Sequence, residues 1–212
     1  MTMKATLMLT LGLGLLVRPL PAQKGQSPFA KLFAVHFDSM NRDTFVVRWG
    51  ADKTIGDMLP PDFLLRLPDS TIVRLAKVIV TSLAQVSPKL CAKFGPRNPD
   101  FDLDLVGLAN HVDSATAVEW VSLMHQMMLT GIYDLPRGHL LPVDSIFPEM
   151  QAMVAILPSA ERRRVQEANA DPHPSSANYC FRAQFVFTSF GAMPPNQAGP
   201  LFRAFVNLSI PQ

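Results

Sequence analysis

Only two cysteines, Cys91 and Cys180, occur among the 212 residues. They form no CxxC pair, which excludes a dithiol redox motif. Neither lies near residue 22, so no N-terminal lipid anchor is expected. Long apolar runs are scarce as well. Residues 5–17 carry no charge, but as a helix they span about 20 Å against a hydrocarbon core of about 30 Å. No other stretch is long and apolar enough to cross a bilayer. The chain also lacks an HExxH pair and a serine in a nucleophile elbow, which excludes the common zinc-hydrolase and α/β-hydrolase signatures. No internal repeat and no cofactor-binding motif is visible, so no cofactor is expected.

The first thing present is an export pattern. Lys4 supplies a charged start, residues 5–17 an apolar run, and Ala22 a small-residue site before Gln23. That order predicts a secretory signal over 1–22 and one mature domain over 23–212. The location expected is periplasmic or extracellular. Loss of 1–22 removes Lys4 and Arg18 and no acid, leaving seventeen basic against seventeen acidic residues and a net charge of zero. A neutral domain offers no electrostatic basis for nucleic acid or an anionic membrane surface. In an oxidising compartment Cys91 and Cys180 are expected to form one structural disulfide.

Hydrophobic periodicity predicts an all-α, single-domain bundle of about seven or eight short helices, punctuated by nineteen prolines that form no tract. Ser27-Pro28 opens the first, with Phe29, Phe33, Phe37 and Met40 at helical spacing. Residues 44–49 suit either helix or strand, and 50–68 read as a connection. A second helix is capped by Asp69 or Ser70 and stopped by Pro88. Its apolar stripe is Ile72, Leu75, Ala76, Ile79, Leu83 and Val86. A short helix is expected at 100–109. The next, over 115–131, is capped by Ser114 and so apolar that it is expected to be central, with a narrow polar stripe of Thr116, Glu119, Gln126 and Thr130. Further helices are expected at 145–157 and 160–170, the latter with surface pairs Glu161–Arg164 and Arg163–Glu167. In 176–190, Tyr179, Phe181, Phe185 and Phe187 alternate as in a strand. Helix is chosen there because a lone strand would have no partner. Pro200 is expected to open a last helix over 200–208.

Several residues invite a functional reading. Asp100, Asp102 and Asp104 alternate as a calcium loop begins, but Leu105 and His111 stand where its glycine and glutamate belong. Met124, His125 and Met128 share one helix and are candidate soft-metal ligands; core packing explains the methionines more simply. His111, Asp113 and His125 are the candidate acid–base residues, and His36 with Asp38 repeats the His–Asp spacing. Helix capping accounts for the 111–114 segment without catalysis. The run 162–164 is three arginines among glutamates and reads as a solvated face. Asn207-Leu208-Ser209 is a glycosylation sequon. The expectation is a non-enzymatic interaction module that takes a protein partner. The alternative is a carrier holding an apolar ligand in a closed cavity between helices, and the third reading is a hydrolase using His111 or His125.

Overall fold

The computed structural model describes residues 27–39, 62–133 and 135–209. The expected signal over 1–22, its cut after Ala22, Met40 and the 44–49 segment lie outside them. Among the described residues there are ten α-helices and no strand. They are α1 (Pro28–Ser39), α2 (Phe63–Arg66), α3 (Asp69–Leu83), α4 (Pro88–Ala92), α5 (Leu105–Ala109), α6 (Ser114–Ile132), α7 (Val143–Ala155), α8 (Ser159–Ala170), α9 (Ser176–Ala192) and α10 (Pro195–Ser209). None is long and apolar enough to cross a membrane.

The all-α expectation holds, and the helix count exceeds it because several breaks are themselves helical turns. The α2 turn sits inside the expected 50–68 connection. Ser87-Pro88 opens α4 instead of merely ending α3, with Ser87 accepting the Leu90 N–H. α3 has already ended at Leu83 and carries Asp69 as its first residue, with no side-chain cap. α5 begins only at Leu105, because Asp104 stays outside it and caps it through the Gly107 N–H. At α6 the cap is Asp113, not Ser114: its carboxylate accepts the Thr116 N–H at 2.8 Å. The segment from 176 is helical as expected. Ser175 caps it, and Ala183, Val186, Phe187 and Phe190 follow one buried helical face.

α10 starts at Pro195, five residues before the expected Pro200, which lies inside the helix. An interior proline loses one backbone hydrogen bond and crowds the residue before it. Here that residue is Gly199, which has no Cβ to crowd. A Cβ at Gly199 would also run into the Asp69 carboxylate, so the glycine lets α10 lie close against the start of α3.

The central helix is α3, not α6. It packs against α9, α10, α6 and α5, and Ile72, Leu75, Ala76 and Ile79 are fully buried. α6 packs on α3 along one side and on α1 and α2 along others. Its Thr116 and Thr130 are buried, contrary to the expected polar stripe, whereas Val118 is 55% exposed. The Cys91–Cys180 disulfide joins α4 to α9, with 4.8 Å between the Cα atoms. On the loop-entropy picture a cross-link over 89 residues stabilises the fold by about 4–5 kcal/mol.

α7 and α8 are loosely packed, and of its described side chains α7 buries only Ile146 and Met153. In α8 only Val165 and Ala168 are buried. Two contacts cannot fill the space around a twelve-residue helix, and α7, α8, α9 and α10 therefore enclose a gap.

Candidate functional site

The residues singled out by sequence fall into separate places. Met124 and Met128 are buried in the main core, as gap-filling methionines are. His125, on the same helix, meets a partner the sequence did not reveal: His36 on α1, with Nε2 2.8 Å from His125 Nδ1. One ring must donate and the other accept, so the accepting ring is neutral and the contact cannot form with both rings protonated. Burial and, after it, the neighbouring His36 hold the His125 pKa below the ordinary imidazole value.

His111 is exposed, and its Nδ1 lies 2.8 Å from the Gly107 carbonyl oxygen one turn earlier. No ion pair joins it to Asp113. The Asp113 carboxylate is committed to the start of α6, and the Thr116 N–H bond draws its pKa below the usual carboxylate value. Asp100, Asp102 and Asp104 are exposed along the approach to α5, where Asp104 serves as the cap. Among the described residues no three His, Cys, Asp or Glu side chains gather as a metal site.

The expected surface pairs on α8 do not form. Arg164 instead stacks on the Phe181 ring at 4.2 Å, and Arg162 donates to the Leu157 carbonyl. Both contacts lie beside a large concavity formed by the described residues.

That concavity is a half-open cleft of about 1060 Å3 between α7, α8, α9 and α10, closed at one end by the turn before α5. Met150, Val154, Phe181, Phe185, Phe205 and Leu208 make its apolar walls. Phe147, also on the wall, is 60% exposed. The volume is at the top of the range of about 300–1,000 Å3 that small-molecule pockets occupy. No family model, curated protein or solved structure matches this chain.

The charged groups on the cleft wall are of one sign. Arg97, Arg162 and Arg182 line it with Gln151, Gln166 and Asn169, and no aspartate or glutamate among the described residues does. Arg182 is 6% exposed. Its Nε and Nη2 both donate to the Ala168 carbonyl, one of the orphan acceptors in the last turn of α8. The guanidinium also lies 5.2 Å from the centre of the Tyr179 ring. Its Nη1 has no partner among the described residues.

Arg97 reaches the cleft through a strained turn. The Asn98 N–H bonds the Gly95 carbonyl, Pro96 takes the first corner, and Arg97 takes the second at φ 63°. A positive φ after proline is the type II pattern, where glycine or asparagine is preferred. Gly95 itself must be glycine, since a Cβ there would strike the Tyr179 carbonyl on α9. Sequence reasoning missed all three arginines as a group. The available signals were Arg182 on an otherwise apolar helix face and Arg97 at the glycine-preferring corner of a Gly-Pro-Arg-Asn turn.

Proposed function

We infer that this chain is an exported, non-enzymatic binding protein that holds an apolar small molecule in the cleft between α7, α8, α9 and α10. The cleft carries the inference: about 1060 Å3 bounded by four helices and lined mainly by apolar side chains, phenylalanine foremost. It is open where the carrier reading expects a closed cavity, which suits a ligand that enters and leaves without unfolding a helix. Export is supported by the signal-like order of residues 1–22 and by the disulfide, which persists best in an oxidising compartment.

Capture of a protein partner is the second reading. Ile156, 86% exposed just beyond α7, and Phe147 in the first half of that helix favour that reading, because large exposed apolar side chains mark contact surfaces. The enclosed volume favours the small molecule, since a flat patch suffices for a protein. Neither His111 nor His125 has an ion-paired carboxylate among the described residues, so the hydrolase reading has the least support.

The test uses N-phenylnaphthylamine, a neutral apolar dye that brightens on leaving water. The dye should bind the protein and brighten. Ala155→Trp, at an exposed position on the cleft wall, should cut the affinity by about tenfold or more by filling the space, with the thermal midpoint unchanged. No brightening with folded protein sinks the cleft reading. For export, expression with residues 1–22 in place should yield a chain beginning at Gln23; recovery of intact Met1 would refute it.

A further inference from the structure

We propose that the cleft is built for an anionic amphiphile, a free long-chain carboxylate whose head group is met by Arg182, with Arg97 and Arg162 adding positive charge elsewhere on the wall, while its chain lies along the apolar walls. The proposal rests on the small-molecule reading above and names the ligand class.

The charge inventory carries it. Every charged side chain on the cleft wall is an arginine. A buried guanidinium normally pairs with a carboxylate, because an uncompensated charge in a low-dielectric site is costly. Arg182 is buried and has no carboxylate partner among the described residues; its protein contacts are one carbonyl and one ring face. The Ala168 carbonyl, at the negative end of α8, offsets part of that charge. Nη1 is left for a ligand oxygen, and a planar guanidinium meets a carboxylate in matching geometry.

Arg97 supplies an independent observation. Its backbone sits at φ 63°, a conformation that disfavours a side chain with a Cβ. The turn therefore holds a cation on the cleft wall where glycine would be more stable. Arg162 stands on the α8 side with a single carbonyl contact. The mature domain has no net charge, so attraction is confined to this wall and a bilayer surface is not the favoured target. Apolar walls along four helices match a hydrocarbon chain, whereas a small anion such as phosphate would leave them empty.

The experiment compares palmitate with hexadecanol, the same chain bearing an uncharged head, by isothermal titration below micelle-forming concentrations. Palmitate should bind about tenfold or more tightly, the gain expected from charge-assisted hydrogen bonds. Arg182→Met should abolish the preference, so that palmitate and hexadecanol bind alike. Because Arg182 also holds α8, Arg97→Gly and Arg162→Gln provide surface variants whose folding is not at stake. Each should weaken palmitate several-fold without affecting hexadecanol, and Arg97→Gly should keep or raise the thermal midpoint. Equal affinity for the two probes, or palmitate binding indifferent to all three arginines, overturns the anionic head group and leaves the apolar cleft standing. Failure of both probes overturns the small-molecule reading as well. Capture by phosphatidylglycerol vesicles without uptake of free palmitate overturns the proposal in favour of a membrane surface.

Discussion

The indole N–H of Trp120 donates to Ser82 Oγ at 2.8 Å, and Ser82 in turn donates to the Val78 carbonyl at 2.7 Å. Trp120 and Ser82 are both fully buried, so this short chain of donors is the polar seam by which α6 is fixed on the central helix α3. Removing the hydroxyl strands a buried N–H. Ser82→Ala should cost about 1–3 kcal/mol in urea unfolding. Adding Trp120→Phe to that variant should cost less than it does in the wild-type background, since the stranded group has gone. An unchanged midpoint for Ser82→Ala would mean the indole finds water.

Acid should loosen the seat of α1. The contact between His36 and His125 is lost when both rings are protonated, and burial, with the neighbouring His36 after it, holds the His125 pKa below the ordinary value of about 6.5. The unfolded chain then takes up more protons than the folded one as pH falls through 6.5. This contribution is fully present above that pH, declines below it, and is completely lost below the depressed folded value. The thermal midpoint should therefore fall between pH 7 and pH 5, and His125→Gln should flatten that slope. An equal slope in the variant would assign the acid sensitivity to other groups.

Arg203 should be the most destabilising single charge to remove. It is 3% exposed on α10 and donates to the carbonyls of Leu67 and His139 and to Asp69 Oδ1. Its Nε has no partner, so the guanidinium is held by geometry that a methionine cannot imitate. Arg203→Met should cost about 2–4 kcal/mol, because it strands two backbone acceptors and one carboxylate. Asp69→Asn should cost less, as Asp69 is partly exposed and the two carbonyls keep their donor. A loss under 1 kcal/mol for Arg203→Met, read from the denaturation midpoint, would show that the loop and the α2–α3 turn rearrange freely.

Thiol titration of the denatured, unreduced protein should find no free cysteine. Cys91→Ala with Cys180→Ala should lower stability by about 2–5 kcal/mol while leaving the helical far-ultraviolet spectrum in place. A stability equal to wild type would mean that α4 and α9 are held by their packing alone.

Much of the helix pattern was legible because it depends on near neighbours. The buried stripe of α3, from Ile72 to Leu83, follows helical spacing that any reader of the chain can trace. The segment around Tyr179 was ambiguous because its aromatics fit two periods at once. Arg182 and Ala183, with Phe187 and Phe190 beyond them, settle it once α8 and α10 supply partners. Caps were displaced by one residue at α6, where Asp113 and Ser114 are both competent and only the three-dimensional path selects Asp113. Pro200 misled because a proline was read as a start, whereas Gly199 lets the helix run through it. The candidate site was hardly legible. His36 and His125 are 89 positions apart, and the arginines of the cleft come from a turn and two helices, so nothing in their spacing announced a local excess of positive charge.

The hub of the fold has a consequence for the order in which the chain can assemble. α3 lies in the first half of the sequence, yet the helices that cover it most extensively, α9 and α10, come last. A nascent chain carries an uncovered apolar helix until almost its whole length has emerged, and closing so long a loop is slow for a helical protein. Such a chain is expected to stay unfolded until α9 and α10 are available to cover α3. Removing α10 alone should thus leave an insoluble product, even though every other helix is still encoded.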